Sequence, residues 1–145
     1  MNPDSLFCKA VNGELPLPNA AKLLGWKFIK YEEQENKVHI EFNASTSLTN
    51  PMGNVQGGML SAMLDDCMGP ALYATLPADK VAVTVHAQTQ FLRPAKPGLI
   101  LGWGRIDSTT SRVCFTSGQL TNEAGEVLAT ATGIYQIINW LKVDS

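Results

Sequence analysis

Asp65 is the residue whose type and setting point most directly to chemistry. It lies in a run from Gly57 to about Thr75 in which Met59, Leu60, Met63, Leu64, Cys67 and Met68 recur at three- and four-residue steps, while Ala62, Ala71 and Ala74 fill much of the remaining perimeter. A helix apolar nearly all round has to be buried. A buried carboxylate costs several kcal/mol unless it is paired or used, and burial raises a carboxyl's pKa toward the range useful to a general base. Asp66 is its rival. Neighbours on a helix project about 100° apart, so the two cannot share one task, and one of them is expected to reach solvent or a cap. A purely structural, hydrogen-bonded role for Asp65 stays open. Gly57 and Gly58 stand where the helix begins. Unpaired backbone amides and the positive end of the helix dipole face outward there, and two residues without side chains let a carbonyl oxygen approach closely and stabilise an oxyanion. Easing a tight turn is the bland alternative. Asn50, pushed into extended conformation by Pro51, either aims its amide at the same place or forms a turn.

These residues need a frame. Residues 4–11 and 18–24 each suit a short helix, the second opened by Pro18-Asn19 and closed by Gly25, together making a lid or collar over residues 1–25. From Trp26 the pattern turns extended. Trp26 to Tyr31 and Lys37 to Asn43 form a hairpin with one wet face, since Val38, Ile40 and Phe42 alternate with Lys37, His39 and Glu41 across the polar connection Glu33 to Asn36. After the helix, which Pro70 should kink, come four strand-like segments: Lys80 to Arg93, Leu99 to Ser108, Arg112 to Thr121, and Val127 to Asn139. Short turns between them predict an antiparallel meander, joined by the hairpin into one sheet of about six strands. The fold class is α+β, with one sheet and one buried helix in a single domain spanning 1–145, its core at 26–139. Along Val81 to Val85 the alternation sets Val81, Val83 and Val85 on one face and Ala82, Thr84 and His86 on the other.

Composition removes several classes. The 145 residues carry eleven Lys plus Arg against thirteen Asp plus Glu, a net charge of −2, without the basic excess of a nucleic-acid-binding domain. Charged residues are 17% of the chain, below the roughly 25% norm, which hints at surface given over to partner subunits. No run approaches the ~18 apolar residues of a membrane helix and the start lacks a signal-peptide pattern, so no membrane association and a cytoplasmic setting are expected. Cys8, Cys67 and Cys114 read as reduced core thiols. With no Cys-x-x-Cys pair, and with His39 and His86 47 positions apart, no metal site is expected. A lone strand histidine more often faces solvent or an interface than a substrate.

The segment Asn50-Pro-Met-Gly-Asn-Val-Gln56-Gly57-Gly58, followed by Leu64-Asp65 in the helix, resembles the PaaI-like hotdog thioesterases of the 4-hydroxybenzoyl-CoA thioesterase superfamily. Their pattern is an Asn, then six residues on a His-Gly-Gly, and an Asp nine residues after the His; Phe91-Leu-Arg-Pro-Ala95 is similar to their strand-end signature. The likeness covers about residues 26 to 138. It implies a hotdog fold, a sheet wrapped round a central helix, and hydrolysis of acyl-CoA to free acid and coenzyme A. By resemblance Asp65 is general base or nucleophile, the Gly57 and Gly58 amides polarise the carbonyl, and Asn50 and Thr84 orient the acyl group and the attacking water. Asn50 and Gly57 of one subunit would face Asp65 and Thr84 of another in a homodimer or a tetramer of two dimers. Gln56 departs from the family's His: it keeps hydrogen-bonding capacity but does not titrate near neutral pH. Thr84 equally suits a plain strand position. No cofactor is implied beyond the coenzyme A of the substrate, whose polyanionic end needs a local basic patch, with Arg93, Lys96 and Arg112 as candidates unless they are ordinary rim charges. Two other readings remain: an acyl-CoA-binding protein without turnover, and a hotdog hydratase or dehydratase, a chemistry that pairs a carboxylate with a nearby His.

Overall fold

The computed structural model describes residues 1–140, so the last five residues of the expected 1–145 unit lie outside the described residues. Two short helices, α1 (Leu6–Val11) and α2 (Asn19–Leu23), precede the hairpin of β1 (Lys27–Glu32) and β2 (Lys37–Ala44). Gly25, at φ +67°, ends the α2 segment in the left-handed region that favours glycine. The hairpin is joined through a 3-10 turn at Glu33–Glu35, and Asn36 adopts the left-handed conformation that lets the chain reverse. As the alternation requires, Val38, Ile40 and Phe42 are buried while Lys37, His39 and Glu41 remain partly exposed.

The long helix α3 (Gly57–Tyr73) crosses the concave side of a six-stranded antiparallel sheet completed by β3 (Lys80–Phe91), β4 (Gly98–Thr109), β5 (Val113–Thr121) and β6 (Val127–Asn139). Leu60, Met63, Leu64, Cys67, Met68 and Leu72 are buried, at roughly 1.5–3 kcal/mol for each large side chain removed from water. Glycines on the facing strands let the helix come close. A Cβ at Gly104 would lie 2.2 Å from the Cys67 carbonyl oxygen, and one at Gly102 2.7 Å from the Cys67 Sγ. Pro70 lies inside the helix and has no N–H, so the Asp66 carbonyl loses its usual donor four residues on. The Trp26 indole replaces it, donating to Asp66 O at 2.9 Å. Phe7 of α1 packs edge-on to Trp26 and Phe28, and the Asn2 amide donates to Ala74 O, so the collar is seated on the C-terminal half of α3.

Two expectations need correction. The last four strands are not one meander: the sheet order is β1-β2-β4-β5-β6-β3, and β3 lies beside β6 at the edge instead of beside β4. The reason is the Pro94-to-Pro97 segment. Its two prolines cannot extend a ladder, and Ala95, buried, accepts from the Val55 amide at 2.7 Å, which carries the chain past the start of α3 to pair β4 with β2. Second, the alternation along β3 breaks at an irregularity between Thr84 and His86. Thr84 faces the helix, where it meets Asp65, and so does Thr89, which accepts from Ser61; the odd separation of the two takes up one extra residue, so His86 does not share the face of Thr84.

Candidate active site

Asp65 projects from the middle of α3 toward β3 and β6. Its Oδ1 accepts two hydrogen bonds, from Thr84 Oγ1 at 3.0 Å and from the Tyr135 hydroxyl at 2.5 Å. Its Oδ2 accepts none among the described residues. Tyr135 is 2% exposed, and burial first, then the Asp65 charge, push its phenol well above the ordinary range, so it is a permanent donor. Asp66 has the opposite surroundings. Its Oδ2 is buried with no donor among the described residues, and burial, with Asp65 beside it, raises its carboxyl to about 6. Both line one cavity and both stay partly exposed, so Asp66 is not sealed from solvent although one of its oxygens is buried.

That cavity, about 410 Å³, lies between the collar and α3 and is within the range of small-ligand sites. Leu6, Phe7, Leu17 and Trp26 give it apolar walls, and Asp65, Asp66, Thr84 and the hydroxyls of Tyr73 and Tyr135 its polar floor. Among the described residues no Lys, Arg or His lines it. It suits an apolar group of moderate size next to a carboxylate, and it repels a polyanion.

Gly57 and Gly58 occupy the first turn of α3, and Gln56 caps it without a side-chain hydrogen bond. Neither glycine has positive φ, so a turn does not demand them. A Cβ at Gly58 would meet nothing within 4 Å, and one at Gly57 would touch only the Phe91 ring at 3.4 Å. Small size here therefore leaves an approach to the amides open. Eight residues separate Gly57 from Asp65, about 12 Å along the helix, too far for both to serve one carbonyl from the same chain. Asn50 takes its bland alternative in part: its Oδ1 accepts from the Met52 and Asn54 amides, closing the turn that leads into the helix. Gln56 is exposed at that same end.

The three basic candidates do not form one patch. Arg93 donates to Val127 O at 2.8 Å and pairs with Glu126, and exposed Lys96 follows it, at the end of the sheet where α3 begins. Arg112 opens β5 at the opposite end, roughly 30 Å away along a nine-residue strand. The β4–β5 and β6–β3 reversals fix that separation. His39 pairs with Glu32 on the outer face at 3.0 Å and His86 is exposed, so neither reaches the cavity. Sequence reasoning missed Tyr135 and Trp26. For Tyr135 a signal existed: Ala129, Ala131 and Gly133 share its inward register, and a single phenol ending a row of small residues has room only because something polar faces it.

One antiparallel sheet wrapped on one long buried helix, with the site along that helix, is the hotdog fold. The Thioesterase superfamily pattern matches residues 52–129, and the chain belongs to that superfamily. A phenylacetic acid degradation-related protein of Ralstonia eutropha has a similar structure at TM-score 0.86 and 35% identity, over 90% of this chain and 98% of that one. The Escherichia coli PaaI protein from the phenylacetic acid degradation operon is similar at TM-score 0.76 and 18% identity, over 91% and 93%. A Bacillus halodurans protein, BH2602, solved with CoA, is similar at TM-score 0.78 and 20% identity, over 95% and 89%. No curated protein matches the sequence. Among the described residues no helix is long and apolar enough to cross a membrane.

Proposed function

We propose that the protein is a cytoplasmic acyl-CoA thioesterase that releases free acid and coenzyme A without a further cofactor. The observation that carries this reading is Asp65, whose Oδ1 is held by Thr84 and Tyr135 while Oδ2, beside an apolar cavity, accepts no bond among the described residues. Asp65 takes a proton from water as the hydroxide adds to the thioester carbonyl, and returns it to the sulfur as the C–S bond breaks; direct attack by the carboxylate, then hydrolysis of the anhydride, gives the same products. The oxyanion is met by the Gly57 amide, with Gly58 beside it and Asn50 shaping the turn. Because Gly57 lies about 12 Å from Asp65 in its own chain, these groups come from a second copy, in a homodimer or a pair of dimers. The acyl group fills the cavity. The nucleotide end, excluded from it by charge, runs over Arg93 and Lys96 near the start of a helix, past Gln56.

A thiol-release assay over aliphatic and aromatic acyl-CoAs tests this. Asp65→Asn is expected to lower kcat by about 10²–10⁴, and Asp66→Asn far less. Acyl-CoA binding without thiol release from any substrate would favour the binding-protein reading, and equal losses from the two changes would refute the division of roles. The hydratase reading lacks the histidine it requires beside Asp65.

A further inference from the structure

We infer that Tyr135 is a positioning residue for the reaction: its hydroxyl fixes Oδ1 of Asp65 and so makes Oδ2 the oxygen that takes the proton or attacks. The inference rests on the proposed role of Asp65.

Two donors converge on Oδ1, and they differ in rigidity. Thr84 lies on the exposed edge strand, next to the irregularity in β3. Tyr135 is clamped in a central position of β6, with β5 on one side and β3 on the other. Its ring runs between two glycines: a Cβ at Gly133 would stand 3.1 Å from Tyr135 Cε2, and one at Gly69, a turn beyond Asp65 on α3, 3.7 Å from Cε1. The phenol is confined to the line that ends at Asp65. Its one proton has its short acceptor in Oδ1 at 2.5 Å, with the Asp65 carbonyl oxygen farther off at 3.5 Å. Oδ1 is thus committed to the protein, and the remaining lone pairs of the carboxylate belong to Oδ2.

A hydrogen bond to a carboxylate favours its charged form. The other groups facing Asp65 are few. On α3 itself they are Asp66 and Tyr73, and Tyr73 donates instead to Ala82 O at 2.9 Å; β3 offers Thr84; and the collar turns only apolar side chains to the cavity.

The test is Tyr135→Phe, read by pH profile. With the hydrogen bond gone, the acidic limb of kcat against pH is expected to move up by about one unit, and kcat to fall about 10–100-fold as the carboxylate turns, with KM changed less than about twofold. Tyr73→Phe removes the other phenol of the cavity and is expected to leave the limb in place. The second measurement does not depend on turnover: carbon-13 NMR of the Asp65 side-chain carboxyl, whose titration is expected to move up in Tyr135→Phe. If that variant fails to fold, 3-fluorotyrosine at 135 keeps the shape, strengthens the donor, and is expected to move the Asp65 titration down. Unchanged Asp65 titration in whichever variant folds, or an unmoved acidic limb, overturns the inference. Absence of hydrolysis by the wild type, with the NMR shift present, would instead overturn the proposed reaction and leave the pairing standing.

Discussion

Asp65 and Asp66 are neighbours on one helix, yet the first is given two donors and the second has a buried oxygen with none among the described residues. The apolar run made a carboxylate in this helix conspicuous, since it needs a reason to be there, and it was the resemblance to the family pattern that picked Asp65 over Asp66. Tyr135 was not legible: it is 70 residues away, and only the pairing of β6 with β3 and β5 brings it to the helix. That the collar borders the cavity beside Asp66 was not legible either, because it is a tertiary fact. The raised carboxyl of Asp66 has a consequence for stability. A folded-state value of about 6, above the ordinary 3.8, means the folded chain holds this proton more tightly than the unfolded one. The contribution therefore favours folding at acid pH, declines as pH rises from about 4 to 6, and stands as a penalty of at most about 3 kcal/mol above that. Asp66→Asn is expected to raise the urea midpoint at pH 7.5 relative to wild type and to lose that advantage near pH 4. A gain of the same size at both values would mean that charge is not the cause.

At the scale of elements, alternation and helical periodicity located every strand and the long helix to within two or three residues, since each is set by which side chains meet the core. Strand order was not legible in the same way. The Pro94-to-Pro97 segment reads as a turn, and only the bond between Val55 and Ala95 reveals that it crosses the end of the sheet. The glycines of β4 were likewise passed over as sequence, although they decide how closely α3 approaches. At Gly104 the atoms a Cβ would strike are backbone, the Cys67 carbonyl at 2.2 and 2.3 Å and the Met68 nitrogen at 2.6 Å, and backbone cannot swing aside. Gly104→Ala is expected to cost more than the roughly 1–3 kcal/mol usual for an overpacked core, because the whole helix must lift. Gly58→Ala is the control. It adds its Cβ to open space at the exposed start of the same helix and is expected to hold or slightly raise the melting temperature. If calorimetry finds Gly104→Ala as stable as Gly58→Ala, the close approach of helix to strand is wrong.

For the molecule as a whole, the edge formed by β3 is the unfinished part. It is twelve residues long, Lys80 is its only Lys, Arg, Asp or Glu, and Val83, Val85 and Phe91 are exposed along it. Natural edges are blunted by charge, proline or brevity, and a long uncharged one invites another strand. The low overall charge of the sequence hinted at such a surface, but not at where it lies. A second copy paired here about a two-fold axis would also answer the separation of Gly57 from Asp65, since the start of one helix would then approach the middle of the other. Co-expression of two inactive variants tests the arrangement. Asn50→Ala disables the turn that leads to Gly57 in its own chain, and Asp65→Asn disables the carboxylate in the other. Random pairing makes about half the dimers mixed; in each, one of the two sites combines an intact Asn50 with an intact Asp65, so about a quarter of wild-type activity is expected to return. Differently tagged chains purified over both tags isolate the mixed dimer, which should carry about half the wild-type activity. Sites complete within one chain would restore nothing, and a mixed dimer that is inactive, or a protein that is monomeric in solution, would overturn the shared site.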